Sequence, residues 1–177
     1  MEVREVTAED ANALSAFFSG LPAEDRTFFW SDVTDPAVAQ GWAGDPHRIR
    51  RCAVDEDGRM VAFAALVPGS DWSSHVAEMV LVVAAGARRG GIGRSLARLM
   101  LLEAVKAGLK KITVNIAADN EAAIAMFTGI GFDGEALLRD HLRNPEDGQL
   151  RDLVVLAHLV DERYATMQAA GLDEISR

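Results

Sequence analysis

The chain is short of several things that would narrow its chemistry. A single cysteine, Cys52, rules out a disulfide within the chain, and no Cys/His spacing suits zinc. A reducing, cytoplasmic setting is the expectation that follows. Long apolar runs are missing too, since none reaches the ~18 residues needed to span a bilayer. The opening MEVREVTAED is charged and has no apolar signal-peptide core. Positive charge is scarce: 18 Lys and Arg face 27 Asp and Glu, a formal net charge of −9. That balance argues against nucleic acid, which is bound through basic surface and counterion release. It favours cationic partners such as amines, although it also suits a surface that is merely soluble.

What is present fits one globular domain over 1–177. Apolar residues make up 49% and charged residues 25% of its 177 positions, enough for a sizeable core. No repeat, low-complexity tract or linker divides the chain. Residues 1–45 read as a short strand and helices, 46–160 as the sheet-forming core, and 161–177 as a short amphipathic tail. Thr7-x-x-Asp10 resembles a capping box opening a helix that ends near Gly20. Pro22 leads a further segment over 23–30, and Asp35-Pro36 opens another helix that stops by Gly44. The period then switches to strands at 48–54 and 59–67, flanking the hairpin turn Asp55-Glu56-Asp57-Gly58. A nearly continuous apolar run over 76–83 reads as a strand buried on both faces, interrupted only by Glu78. Helical spacing follows from Ile92 to Gly108, then a strand over 110–117 and a helix over 120–130 capped by Asp119 or Asn120. A second hairpin, 132–143 with 149–160, turns through Asn144-Pro145-Glu146-Asp147-Gly148. The predicted fold is an α/β mixed sheet with helices on both faces.

The most specific segment is VLVVAAGARRGGIGRSLARLMLL, residues 80–102. It passes from strand to helix through Arg88-x-x-Gly91-x-Gly93 and Arg94. Glycines there let a ligand approach the backbone closely. The helix beginning near Ile92 aims unpaired N–H groups and its positive dipole end at the same place, which makes an anion socket. Screening over ~8 Å lets this local arginine cluster outweigh distant acids, so an anionic ligand is compatible with the net charge. A Walker A loop is excluded because Ile92 stands where its lysine must be. A dinucleotide fingerprint fails because Leu96 replaces its third glycine. A turn with no ligand leaves the crowded arginines without an anion to offset their repulsion.

With those residues in view, the turn resembles the acetyl-coenzyme A signature of the GNAT N-acetyltransferases. The segment from Asn120 through Phe127 to Gly131-Phe132 resembles that family's second signature. The likeness covers about 45–160, and it implies a mostly antiparallel twisted sheet whose central strands splay at the cofactor. It implies that the main chain of Arg89, Gly90, Gly91, Ile92, Gly93 and Arg94 holds the pyrophosphate of acetyl-CoA, with Arg88 at the lip. The pantetheine arm would lie along Leu81, Val82 and Val83 and against Asn120. Phe127 would pack near the thioester, or serve as plain core. No metal is implied.

Acetyl transfer to an amine needs a donor for the developing oxyanion, and a backbone N–H at Val82 or Val83 is the candidate, worth ~3 kcal/mol when well aimed. An amine of pKa ~10.4 is neutral only to about one part in 2,500 at pH 7, a handicap of about 4.6 kcal/mol. A general base is therefore useful. Glu78 is the candidate catalytic residue: an ionisable side chain in an apolar strand, which is costly unless solvated in a cleft or paired. The competing reading pairs it with Arg50 or Arg51 for structure. His75 is a second candidate base. Arg139, Asp140, His141 and Asp152, with Phe28, Phe29, Trp30 and Trp42, are candidates for lining the acceptor site, or are ordinary surface and packing.

Two departures from the family pattern bear on mechanism. Phe127 stands where many members carry a tyrosine acid for the leaving thiolate. Asn115 stands where enzymes acting on protein N-termini often carry glutamate. The expected activity is acetyl transfer to a primary amine, on a small molecule or a protein lysine. The alternative is an acyl-CoA-binding sensor of the same fold without turnover. Tyr164 and Met167 in the tail suggest a homodimer contact.

Overall fold

The computed structural model describes residues 1–160 and places seven strands in one sheet, in the order β1-β2-β3-β4-β5-β7-β6. The chain enters through β1 (Glu2–Glu5) and turns into α1 (Ala11–Ser19) at Thr7. There the Asp10 carboxylate accepts the Thr7 backbone N–H at 2.9 Å and two Arg4 guanidinium bonds at 2.7 and 2.8 Å. The hydrogen-bonded Arg4 guanidinium, aided by Thr7, holds the Asp10 carboxyl down at about 2, against an opposing burial effect. A 3-10 segment, Glu24–Phe29, leads to α2 (Pro36–Gly44), whose N-cap Asp35 accepts the Ala37 N–H at 2.8 Å. The far end of α2 is closed by Arg50, which donates to the carbonyls of Trp42 and Ala43.

Strands β2 (Ile49–Val54) and β3 (Met60–Pro68) form the first hairpin, and β4 (Val76–Val83) adds to β3 antiparallel. Then come α3 (Ile92–Lys106), β5 (Lys111–Ala117), α4 (Glu121–Thr128), β6 (Asp133–Arg143) and β7 (Leu150–Leu159). The last two strands pair as the sequence requires. It is β7, however, that inserts beside β5, and β6 is left at the edge.

Two cores sandwich the sheet. On one face Leu96, Ala97, Met100 and Ala104 of α3 pack with Ile112, Val114, Phe127 and Phe132. On the other, Phe18, Phe29, Trp42 and Phe63 meet edge to face, with centroids 4.8–5.9 Å apart for the T-shaped pairs. Such pairs add about 0.5–1.5 kcal/mol beyond burial. Cys52 lies fully buried in this second core, and burial pushes its thiol up, so it is inert.

The feature that positions the site lies between β4 and β5. They run parallel but pair only at Val76–Lys111, Ala77–Ile112 and Glu78–Thr113. Beyond Glu78, β4 stays on β3 to Val83 while β5 stays on β7 to Ala117, so the sheet splits into a wedge.

Candidate active site

The mouth of the wedge is the turn between β4 and α3. Arg89 and Gly91 both adopt left-handed backbone, at φ 67° and 79°. Gly91 supplies this at little cost, whereas Arg89 carries strain of the kind that collects at functional turns. Among the described residues, none of the six backbone N–H groups from Arg89 to Arg94 has a protein acceptor. The first intrahelical bond involving the turn is Ser95 N–H to the Gly91 carbonyl, at 3.0 Å. A row of free donors at the positive end of a 15-residue helix has the electrostatics that suit an anion. Gly93 keeps the floor open: a Cβ there would sit 3.3 Å from Met126 Sδ and 3.5 Å from Val83 Cγ2.

Behind the mouth runs a cavity of about 550 Å³ along the wedge. Its walls include Leu81, Val82, Val83, Arg88, Arg89, Gly91, Ile92, Gly93, Arg94, Asn120 and Phe127, and Glu78 lies in the same cavity. Gly90 belongs to the turn without lining it. Strand alternation decides which main-chain groups face inward. The Ala84 N–H donates to the Val61 carbonyl and the Gly69 N–H donates to the Val76 carbonyl, so even-numbered β4 residues bond toward β3. Met79, Leu81 and Val83 therefore turn their main-chain groups to the opening. Of the two oxyanion donors expected from the sequence, Val83 has this direction. Val82 does not, because its N–H falls on the β3 side.

Arg88 is more engaged than its place at the lip suggests. Its Nε donates to the Val83 carbonyl at 3.0 Å, and its guanidinium pairs with Asp25 of the 3-10 segment. The anion that offsets part of the arginine crowding thus comes from 63 residues away in sequence. Arg94 reaches the other way, with Nη2 3.1 Å from where a Gly129 Cβ would stand, beyond the end of α4. Asn120 is the N-cap of α4: its side chain accepts the Ala123 N–H at 3.1 Å. Phe127 is both wall and core, 4% exposed and edge-on to Phe132 at 5.1 Å.

Glu78 sits where the main-chain ladder between β4 and β5 stops. Its Oε1 accepts the Asn115 side-chain N–H at 2.9 Å and the Trp30 indole N–H at 3.1 Å. The structural pairing with arginine is not found. Arg50 closes α2, while Arg51 pairs with Glu103 at 3.2 Å and reaches Glu5 at 3.8 Å. His75 is exposed ahead of β4, away from the cavity lining. Phe28 and Phe29 line the cavity, whereas Trp42 is core.

Trp30 is 53% exposed and holds a left-handed φ of 56°. Its ring meets His141 edge-on at 6.2 Å. His141 belongs to an interruption in β6: pairing jumps from Leu138–Leu153 to Leu142–Arg151. Asp140 takes φ 50° there, and its N–H donates to Asp152 at 2.9 Å. Asp152 therefore stabilises the bulge that presents His141. Nothing in residue spacing could have joined Trp30, Glu78 and Asn115, which sit in three separate elements. Their only sequence signal is the isolated acid in an apolar strand.

The family model for the Acetyltransferase (GNAT) family matches residues 15–132, which take in the strand split and the glycine-rich helix mouth. The chain belongs to that family. It is 29% identical over 132 residues to the ribosomal protein bS18-alanine N-acetyltransferase of Escherichia coli, covering 75% of this chain and 82% of that one. A ribosomal-protein-alanine N-acetyltransferase from Brucella melitensis superposes with a TM-score of 0.77 at 26% identity, over 90% of this chain and 99% of that one. An acetyltransferase from Salmonella typhimurium, solved with its cofactor acetyl-CoA, superposes with a TM-score of 0.78 at 19% identity, over 91% and 94%. That last likeness is one of fold. Among the described residues no helix is long and apolar enough to cross a membrane.

Proposed function

We propose that this GNAT member transfers the acetyl group of acetyl-CoA to a primary amine, on a small molecule or a protein lysine, within one ternary complex. The observation that carries the reading is continuity. A row of unpartnered N–H donors at residues 89–94 opens onto a cavity that ends at a half-buried carboxylate, Glu78.

The residues fit such a cofactor. A diphosphate suits six free donors at a helix N-terminus, and an extended amide-bearing arm suits the unpaired β4 edge from Met79 to Val83. When bound, acetyl-CoA supplies an activated acetyl thioester. In this reading the Val83 N–H donates to the carbonyl oxygen that gains negative charge, an effect of about 3 kcal/mol for a well-placed donor. Glu78 takes the proton from the acceptor's ammonium, at the carboxylate oxygen that Asn115 and Trp30 leave free. Removing that proton addresses a handicap of about 4.6 kcal/mol at pH 7. Buried Phe127 has no proton to give, so the leaving thiolate draws its proton from water.

Two of the proteins named above, from Escherichia coli and Brucella melitensis, are ribosomal-protein-alanine N-acetyltransferases. This chain carries Asn115 where the sequence resemblance places the acid of enzymes acting on protein N-termini, and Phe127 where it places the tyrosine of many family members. That is the reason for proposing a different amine acceptor. The setting proposed is cytoplasmic, and the whole chain is proposed to act as one acetyltransferase domain. The tail residues that suggested a dimer lie outside the described residues.

The test is thiol release from acetyl-CoA with a panel of spermidine, a lysine peptide and an alanine-terminated peptide. Glu78→Gln is expected to lower kcat by about 100-fold, as loss of a general base does. Acetyl-CoA affinity by calorimetry should not change. Cofactor binding without thiol release across the panel would favour the sensor reading, to which Phe127 lends weight.

A further inference from the structure

Two donors from opposite sides of the wedge converge on the same oxygen of Glu78. Asn115 reaches it from β5 at 2.9 Å and Trp30 from beyond the 3-10 segment at 3.1 Å. Both lie on the acceptor face of the sheet, away from α3 and α4. In β5 the buried side chains Ile112, Val114 and Ile116 join the α3 core, which leaves Asn115 to the opposite face. Asn115 lies two residues past the last β4–β5 pair, where no main-chain bond joins the two strands.

Trp30 carries an independent sign of constraint. A bulky residue at φ 56° is a genuine outlier, and such strain persists only where the surroundings impose it. Here they do so from two directions. The indole N–H is fixed on Glu78, and the ring edge is fixed by His141, which the Asp140–Asp152 bulge holds in place. Trp30 is also the C-cap of the 3-10 segment, and its ring remains 53% exposed.

We infer that Trp30 and Asn115 are positioning residues that clamp Oε1 of Glu78, so that only Oε2 is presented to the acceptor amine. The clamp rests on the reading of Glu78 as the base. A carboxylate held by two donors cannot rotate away, and a base must meet its proton within hydrogen-bond reach. Because Trp30 follows the N-terminal 3-10 segment, the clamp also ties placement of the base to the segment that borders the acceptor.

The indole N–H signals of the full chain in NMR give a readout that does not depend on turnover. The Trp30 signal, identified by its loss in Trp30→Phe, should move on Glu78→Gln and again on Asn115→Ala. A Trp30 signal indifferent to Glu78→Gln overturns the clamp. In the thiol-release assay, with the best amine of the panel, Trp30→Phe and Asn115→Ala should each lower kcat by about tenfold, or about 1.4 kcal/mol. The KM for acetyl-CoA should stay put. Placed on Glu78→Gln, neither change should have any further effect, because a residue acting through Glu78 has nothing left to act on. Equal losses in both backgrounds, or a rise in acceptor KM alone, would make Trp30 an acceptor wall and refute positioning. Failure of Glu78→Gln to lower kcat would instead remove the base itself. The two failures are thus told apart.

Discussion

At the mouth of the wedge the groups on offer are main-chain donors from one stretch, residues 89–94. Around Glu78 they are side chains gathered from positions 30, 115 and 141, on three different elements. The first arrangement is local and follows from a helix N-terminus and glycine, so substitutions that keep the backbone keep the site. The second is assembled only by folding, and each member can be lost singly. A family can thus hold one cofactor grip constant while the acceptor wall changes.

The largest effect expected in separating the two regions is that of Glu78→Gln, which should cost turnover about 100-fold and leave cofactor binding alone. Gly93→Val should do the reverse. Its new methyls would crowd Met126 and Val83 in the floor of the wedge, and overpacking of 1–3 kcal/mol predicts acetyl-CoA binding weakened about tenfold or more. Calorimetry reads this directly; undiminished binding would mean that the arm does not lie along that floor.

Asp25→Asn probes the contact between Arg88 at the lip and the N-terminal 3-10 segment. Removing the carboxylate from Arg88 frees a cation at the lip, and an exposed pair of this kind predicts a gain of about threefold in acetyl-CoA affinity at low salt. A loss of affinity would show that Asp25 instead organises the mouth.

The smallest effect on the site itself should come from a change outside both regions. Asp10→Asn should lower stability by about 1–2 kcal/mol near neutral pH, discounted for the exposure of Arg4. The Asp10 carboxyl is depressed to about 2 in the folded chain, against ~3.9 when unfolded. Its stabilisation is therefore complete above ~4 and fades as pH falls toward 2. Thermal melts of the two proteins should converge over that window, with turnover at pH 7 unaltered. A constant gap down to pH 2 would contradict the Arg4–Asp10 assignment.

The same contrast explains what could be read before folding. Strand 76–83, the turn at Arg88 to Gly93 and the start of α3 at Ile92 are consecutive, and apolar periodicity with glycine punctuation specifies them. The hairpin 133–159 was legible for the same reason. Its insertion with β7 inside β6 was not, because partner choice across a sheet is a packing outcome. Glu78 stood out as an acid among apolar neighbours. Its partners did not, since Trp30 looked like any aromatic of a helical segment and Asn115 only like a missing glutamate. Likewise Arg88 advertised an anion, but not that Asp25 already sits beside it.

Among the described residues the β-ladder between β4 and β5, the seam between the two halves of the sheet, is three residue pairs long. The seam is short enough that any long, hydrogen-bonding molecule wedged along it acts as a rivet as well as a reactant. Heat resistance should accordingly climb with the concentration of such a molecule, by mass action, and most steeply for whichever analogue spans the full gap.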